Sequence, residues 1–479
     1  MSSVKRNFGY NIIYQILIII IPLVTMPYLS RILEPSGLGE YSYSFSVADY
    51  FALVAMLGIR NYGNRAIASC ADDKKKISNE FWSIYIVQLI SSLIVLVAYI
   101  LYVSFVASRS VDVARVAVIY EIATVFDISW FFFGLEKFKI TVTRSIIVKL
   151  ISTVLIFVLV KSRDDVWLYM VIMTASVLIS NIILWRYIGN YVDRVHVSRQ
   201  KVLSHIKPIL ILFIPAIAIS LYHVMDKIML GILSNMEQVG FYENSEKIIT
   251  LPYSIITALG TVMLPRMSNL IAKGEIEEGK KYIANTMEFV FFLGSALTFG
   301  IASISPHLVP VFLGTHFSPC INLLVMLSPL VIIKAWANVI RTQYLLPTKK
   351  DRQYVESVII GAIVNLIVNY ILIPKIGAAG AVIGTLVAEF SVGAYQTFSV
   401  RKELPIWTYI IKNVPFFCIG GVMFVVVRLF SYNLKISLTS LFLEVFLGAF
   451  IFIAISIVFM VIKKDEVLLP EVKRFIKRR

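Results

Sequence analysis

Basic side chains inside apolar segments are the residues of this sequence with the clearest capacity to bind a ligand. A cation at the centre of a membrane-spanning helix costs about 2.5–3.5 kcal/mol on insertion scales, so each one needs a polar surrounding. Five basic residues stand in such positions: Arg60, Lys149, Lys227, Lys247 and Lys334. Lys149 lies about one turn past Arg144 and can extend its ammonium group to the membrane surface. We predict that the other four line a polar cleft that binds an anionic ligand.

Acidic residues occupy the same apolar segments, and two explanations of them are open. The charge-pairing or ion-coupling candidates are Asp49, Asp127, Asp226 and Glu246, together with His223, and further acids in these segments are Glu121, Glu288 and Glu389. In the structural explanation, the acids neutralise the buried cations and fix the register of the helices. In the functional explanation, they leave a small surplus of positive charge for the ligand, or His223 carries a coupling proton. Asp226 and Glu246 flank a short turn, so we expect ion pairs across that hairpin.

Long apolar segments must position these charges. The chain has 479 residues, of which 58% are hydrophobic, and its mean hydropathy is +0.82, far too apolar for a soluble fold. Segments of about 20 apolar residues recur, each long enough to cross a bilayer as a helix. We therefore predict an all-α polytopic membrane protein with fourteen spans. The predicted spans are residues 8–30, 42–64, 81–107, 114–135, 143–160, 166–189, 208–232, 238–264, 284–304, 319–343, 354–373, 378–399, 408–430 and 438–462.

The basic residues concentrate in alternate loops, which sets the expected orientation. The net charge is +16. If the N-terminus is cytoplasmic, the cytoplasmic segments carry several times as many Lys and Arg residues as the outer loops, which is the positive-inside pattern. An even number of spans then puts both termini in the cytoplasm. The basic excess therefore indicates topology and contact with anionic membrane lipids, and it does not indicate nucleic-acid binding.

A repeated hairpin divides the chain into two halves. The stretch Pro27–Tyr41 returns as Gly231–Tyr242, and Gly39 aligns with Gly240. Because six spans separate the equivalents, the halves have the same orientation and are related by an axis along the membrane normal, with a central cleft between them. The predicted organisation is an N-lobe at 1–190, a cytoplasmic linker at 191–207, a C-lobe at 208–400, and two further spans with a basic tail at 401–479. The linker could be an interfacial amphipathic helix or a solvated connection.

The sequence contains no motif for a cofactor, a metal or a nucleotide. Cys70, Cys320 and Cys418 are scattered without metal-ligand spacing. No glycine-rich loop with a lysine indicates ATP hydrolysis, and the loops are too short for a catalytic domain. We therefore expect a transporter without cofactors. Its driving force would be an ion gradient, the membrane potential or consumption of the product outside.

Two motifs carry a resemblance to a known family. They are the first hairpin, with Arg31-Ile-Leu33 and Gly39-Glu-Tyr41, and the turn Trp130-Phe-Phe-Phe-Gly-Leu-Glu-Lys-Phe-Lys139. With fourteen spans, the chain resembles the polysaccharide-repeat-unit (O-antigen and capsule, Wzx-type) flippases of the multidrug/oligosaccharidyl-lipid/polysaccharide exporter superfamily. The resemblance covers nearly the whole chain.

This resemblance implies a fold, a substrate and a location. It implies two six-helix lobes plus two C-terminal helices, working by alternating access in the bacterial cytoplasmic membrane. The implied partner is a polyprenyl-diphosphate-linked oligosaccharide that moves from the inner to the outer leaflet, with membrane lipids and other polysaccharide-assembly membrane proteins as further partners. The cationic cleft would then hold the diphosphate. The alternatives are a cation-coupled multidrug or small-molecule exporter of the same superfamily and a membrane glycosyltransferase or polymerase.

Overall fold

The computed structural model describes the backbone of residues 2–70 and 73–463. The side chains of residues 2–16, 18, 19, 215, 216, 218, 219 and 221–223 are outside this description, as is the predicted basic tail beyond residue 463. Within the described ranges the chain is helical, with no strand. The all-α class predicted from the hydrophobic pattern is therefore confirmed.

Seventeen α-helices follow one another along the described chain. They are α1 (Ser2–Met56), α2 (Ile59–Ala68), α3 (Lys74–Leu101), α4 (Val111–Val116), α5 (Val118–Val125), α6 (Ser129–Gly134), α7 (Phe138–Leu159), α8 (Val166–Ile188), α9 (Arg199–Leu233), α10 (Met236–Ala272), α11 (Ile276–Phe312), α12 (Pro319–Leu327), α13 (Leu330–Ile340), α14 (Asp351–Ile376), α15 (Ala378–Val400), α16 (Ile406–Ser431) and α17 (Leu438–Lys463).

Eleven segments of the described chain are long and apolar enough to cross a membrane, or twelve if α1 and α2 count as one bent span. The eleven coincide with the predicted third to sixth and eighth to fourteenth spans. The predicted first and second spans lie on either side of a break in α1 at Glu34, whose φ is 57°. The break directly precedes Pro35, because a residue before proline is driven out of the helical conformation. The predicted seventh span lies on α9, and the total of fourteen stays a prediction.

Two compact units divide the chain, Met1–Gly240 and Phe241–Arg479. Helix α9 belongs with the first unit, since it packs on α1, α2 and α3. The sequence placed the boundary earlier, at 191–207, because the connection there is the longest polar one. That division into lobes stays a prediction.

Aromatic residues build the core of the first unit. Trp130, Phe131 and Phe132 are almost fully buried, and the Phe131 ring lies 5.0 Å from the ring of Phe81. The indole Nε1 of Trp130 donates to Gln88 Oε1 at 2.9 Å, so its polar atom is satisfied inside the core. The Trp-Phe-Phe part of the family motif is therefore a packing element.

The segment after α8 is docked on the first unit. Residues 192–198 are not helical, and Val192 is buried in the hydrophobic core. The amide of Asp193 donates to Ser78 Oγ at 3.0 Å, and Trp82 Nε1 donates to the Asp193 carbonyl at 3.1 Å. Helix α9 then begins at Arg199 and continues without interruption. The segment is therefore anchored to the first unit at Val192 and Asp193, and its character as a solvated connection or an interfacial helix stays a prediction.

The repeated glycines make a reciprocal contact within the first unit. A Cβ on Gly39 would lie 1.7 Å from the carbonyl oxygen of Met236, and a Cβ on Gly240 would lie 1.9 Å from the carbonyl oxygen of Pro35. Each glycine faces the residue four positions before its equivalent, as in a two-fold contact. Only glycine permits this backbone approach, which explains why both copies of the hairpin contain it.

In the second unit, α17 runs antiparallel to α11, and polar side chains of the two helices contact each other at two levels. Glu444 Oε1 lies 2.6 Å from His307 Nδ1, and Lys463 Nζ lies 3.5 Å from Glu288 Oε1. The two contacts are separated by nineteen residues on each helix, about 28 Å at 1.5 Å per residue. Their spacing is close to the thickness of a bilayer core. The last predicted span is therefore held in register with α11 along its length.

Replacement of Gly39 by alanine tests the reciprocal contact. We expect Gly39→Ala, and likewise Gly240→Ala, to lower the free energy of unfolding by about 1–3 kcal/mol because the methyl group overlaps a backbone oxygen that cannot rotate away. The control is Gly300→Ala, since a Cβ at Gly300 has no neighbour within 4 Å. The thermal unfolding midpoint in detergent measures the effect. Equal midpoints for Gly39→Ala and Gly300→Ala would contradict the contact.

Candidate functional site

Arg60 forms an ion pair inside the first unit. Its Nη2 atom lies 3.3 Å from Asp127 Oδ2, and the two side chains are 60% and 8% exposed. Asp127 is held in place because its Oδ1 accepts hydrogen bonds from the amide and hydroxyl groups of Ser129 at 3.0 and 2.6 Å. The buried carboxylate of Asp127 is thus fixed between α5 and α6. It holds the guanidinium of Arg60 on α2, which is largely exposed.

Further acidic groups adjoin this pair. Tyr120 Oη donates to Asp49 Oδ1 at 3.0 Å, and both residues lie within electrostatic range of Arg60. Glu121 is fully buried, and neither of its carboxyl oxygens has a hydrogen-bond partner among the described residues. Acidic groups therefore outnumber the cation in this part of the first unit.

Asp226 and Lys227 also belong to the first unit. Asp226 is 3% exposed, and both residues act electrostatically on Tyr50, whose hydroxyl donates to the Ser220 carbonyl at 3.2 Å. These contacts join α9 to α1. The side chain of His223 lies outside the described residues, so its proposed role in proton coupling stays a prediction.

Lys334 is a largely enclosed candidate cation, and it belongs to the second unit. Its Nζ lies 3.0 Å from Glu389 Oε1, with the side chains 16% and 8% exposed, so the pair joins α13 to α15. The ammonium group also lies 5.8 Å from the centre of the Tyr253 ring. Glu246 supplies a second negative charge that acts on Lys334. A buried lysine, two carboxylates and an aromatic face therefore form one cluster.

Arg341, near the end of the predicted tenth span, extends this cluster, although it was not among the candidate cations selected from the sequence. It stands seven residues, or about two helical turns, after Lys334. Its Nη2 donates to Asn338 Oδ1 at 2.6 Å, and its guanidinium lies 5.8 Å from the Tyr354 ring. Arg341 also acts electrostatically on Tyr253. The two-turn spacing from Lys334 is the sequence signal that could have identified it.

The structure gives two lysines carboxylate partners that were not selected from the sequence. Lys247 pairs with Glu243 at 2.9 Å, one turn away on the same helix. The ion pairs expected across the hairpin of Asp226 and Glu246 stay a prediction. Lys334 pairs with Glu389, while Glu246 contributes from a neighbouring helix. Arg60 lies in the first unit and Lys247 and Lys334 lie in the second, so a single ligand shared by the four cations stays a prediction.

Positive and negative charges balance in the described part of the second-unit cluster. Two cations, Lys334 and Arg341, stand with two carboxylates, Glu246 and Glu389. The expected positive surplus stays a prediction. An anionic ligand could bind by replacing a carboxylate beside a lysine. No group of His, Cys, Asp and Glu side chains suited to a metal occurs among the described residues.

Removal of one member of the Lys334–Glu389 pair tests how tightly it is coupled. We expect Lys334→Gln to lower the free energy of unfolding by about 3–5 kcal/mol, because it leaves a buried carboxylate uncompensated. The double variant Lys334→Gln/Glu389→Gln should recover most of that loss. The control is Lys280→Gln, whose partner Glu277 is 86% exposed, so the loss should leave the unfolding midpoint close to that of the unaltered protein. Thermal unfolding midpoints decide, and no recovery in the double variant would refute the coupling.

Comparison with known proteins identifies sequence relatives of the chain. Residues 4–271 match a family model described as polysaccharide biosynthesis protein. A putative O-antigen transporter from Escherichia coli (strain K12) is 24% identical over 406 residues, which cover 84% of this chain and 97% of the relative. A probable low-salt glycan biosynthesis flippase, Agl15, from Haloferax volcanii is 24% identical over 248 residues, which cover 51% of this chain and 52% of the relative.

Solved structures show the same fold. The lipid II flippase MurJ in an inward closed conformation matches with a TM-score of 0.67 at 14% identity, covering 91% of this chain and 98% of that chain. An inward-facing multidrug resistance MATE family transporter of the MOP superfamily matches with a TM-score of 0.59 at 16% identity, covering 82% and 98%. At these identities the likeness concerns the fold alone. The family model, in contrast, matches more than half of the sequence, and the chain belongs to the polysaccharide biosynthesis protein family.

Proposed function

We propose that this protein is an alternating-access flippase that moves a polyprenyl-diphosphate-linked oligosaccharide from the cytoplasmic to the outer leaflet of the bacterial cytoplasmic membrane. The observation that carries the proposal is the buried Lys334–Glu389 pair with Arg341 two turns away. A diphosphate can accept several charge-assisted hydrogen bonds from such cations. The length match to an O-antigen transporter and the flippase relatives support the same substrate class.

Binding at this pair would be an exchange of anions. Lys334 and Glu389 are both nearly enclosed, so the attraction between them is stronger than in water. A diphosphate that takes the place of the carboxylate leaves Glu389 in need of a proton or another cation. Loading of the ligand and binding of a cation are therefore linked at one site. The same competition between anions allows release, because Glu389 can return to the lysine.

An exporter of small cationic compounds is the second candidate, and one observation favours it. Among the described residues of the first unit, Asp49, Glu121 and Asp127 lie in the neighbourhood of the cation Arg60. Such an acidic excess suits a cationic substrate or a coupling ion. The relatives named as O-antigen transporters and flippases favour the lipid-linked oligosaccharide.

The proposed direction of transport requires a defined topology. Both termini and the connection between α8 and α9 would be cytoplasmic, and the Glu34–Gly39 turn would be external, as the alternating basic loops indicate. Cysteine substitution at Ser198 in a cysteine-free background, followed by an impermeant thiol reagent, tests this orientation. We expect labelling only after the cells are opened. Labelling of Ser198→Cys in intact cells would reverse the assignment.

Transport itself is tested by deletion and by the neutral pair variant. Deletion should retain lipid-linked repeat units in the cytoplasmic leaflet and abolish the surface polymer. The variant Lys334→Gln/Glu389→Gln should insert into the membrane but produce at least about tenfold less polymer per protein molecule, since a single lost charged contact costs more than about 1.4 kcal/mol. Lys280→Gln/Glu277→Gln, which neutralises an exposed pair, is the matched control. An unchanged leaflet distribution in the deletion strain, with altered accumulation of cationic drugs, would instead establish the exporter.

A further inference from the structure

The first unit contains a cavity of about 1020 Å³ that is distinct from the Arg60–Asp127 pair. It is lined by the end of α2, the start of α3, the segment before α9 and the first turns of α9. Three of its lining residues are long cations: Arg65, Lys76 and Lys201. Among the described residues, Glu80 is the single acidic residue in the lining. The charge balance of this cavity is therefore positive, unlike that of the second-unit cluster.

A hydrogen-bonded network engages the Glu80 carboxylate. Lys201 Nζ donates to Glu80 Oε1, and His205 Nε2 lies 3.5 Å from Glu80 Oε2. His205 is only 3% exposed, and its Nδ1 lies 2.7 Å from the hydroxyl oxygen of Tyr62. The network ties α2, α3 and α9 together. Because Glu80 is already shared by two partners, it offers little neutralisation to the other cations.

Arg65 carries a positive charge that the Glu80 network does not neutralise. Its guanidinium is exposed, and it has no carboxylate partner among the described residues. Lys76 is partly neutralised, because its Nζ lies 3.6 Å from Asp73 Oδ2. Hydrogen bonds from the amides of Lys76 and Lys75 hold the pKa of the Asp73 carboxyl below its usual range, so Asp73 is engaged at the start of α3. Arg65 is the planar, always charged group that suits a phosphate.

One wall of the cavity is apolar. Pro208, Ile211 and Leu212 line it from α9, and Ile211 is 56% exposed. These residues belong to the predicted seventh span, where exposed apolar side chains face lipid. The cavity therefore passes from a basic end to an apolar wall over a few turns of one helix. This order matches an amphiphile with a charged head and a hydrocarbon tail.

We propose that this cavity binds the phosphate headgroup of an anionic amphiphile, with Arg65 and Lys76 on the phosphate and the α9 wall along the start of the tail. Basic pockets between helices at the cytoplasmic membrane surface have the chemistry to bind such headgroups. A membrane phospholipid and a polyprenyl diphosphate share this chemistry. The site does not depend on the proposed transport, since a resident phospholipid would occupy it whatever the transported substrate is.

Binding to the purified full-length protein in detergent tests the site. The probes are a fluorescent phosphatidylglycerol, the same label on phosphatidylcholine, and unlabelled farnesyl diphosphate as competitor. We expect Arg65→Gln/Lys76→Gln to weaken phosphatidylglycerol binding about tenfold or more and to leave phosphatidylcholine binding unchanged. Lys273→Gln/Lys412→Gln, which removes two exposed cations elsewhere, should bind as the unaltered protein does.

A variant that is expected to strengthen binding distinguishes an effect on the site from a loss of structure. Glu80→Gln removes the acidic charge found among the described lining residues and should tighten phosphatidylglycerol binding several-fold. Competition by farnesyl diphosphate at lower concentration than by unlabelled phosphatidylglycerol would assign the site to the diphosphate lipid, and the reverse order would assign it to phospholipid. Equal binding of phosphatidylglycerol by the unaltered protein and Arg65→Gln/Lys76→Gln would overturn the proposal. Equally effective competition by inorganic pyrophosphate would also overturn it, because the apolar wall would then contribute nothing.

Discussion

The cost of placing a charge in apolar surroundings is the constraint on which this fold depends. Within the described residues, several buried charges occur in pairs that join separate helices. Lys334–Glu389 joins α13 to α15, and Lys463–Glu288 joins α17 to α11. Each pair adds little net stability over an apolar contact, but breaking one leaves a charge that the interior cannot solvate. The pairs therefore act mainly as register devices, since only one alignment of two helices satisfies both charges.

Glycine also fixes the alignment of helices, through close backbone contact and not through charge. The contact of Gly39 with Met236 repeats as the contact of Gly240 with Pro35, so one close approach is made twice by equivalent residues. A packing arrangement of this kind tolerates no added methyl group, because the opposing atom is a backbone carbonyl oxygen. The repeat in the sequence is thus visible in the structure as a reciprocal contact. The break of α1 at Glu34 lies next to this contact, because Pro35 follows the break and its carbonyl oxygen faces Gly240.

Much of the fold follows from the sequence, and the pairing of charges does not. Hydrophobic length predicted the helices, because each apolar segment must satisfy its own backbone hydrogen bonds in lipid. The Trp130–Lys139 turn and the first hairpin predicted the family. Glu389 was visible as a buried acid, yet its choice of Lys334 depends on how α13 and α15 pack, which no local pattern states. Arg341 was missed because it lies near the end of a predicted span, whereas Asn338 and the Tyr354 ring hold it against a helix.

The two kinds of basic site differ in what a ligand must displace. At Lys334 an incoming anion competes with a carboxylate 3.0 Å away, so binding depends on what happens to Glu389. At Arg65 no such competitor stands among the described residues, and the guanidinium is exposed. An unpaired surface cation attracts any anion, because the anion has no partner to displace. Salt readily weakens this attraction. A paired and enclosed lysine binds only a ligand that can replace its partner. An anion at the enclosed pair must therefore displace Glu389, whereas an anion at the open cavity need not displace a carboxylate partner of Arg65 among the described residues.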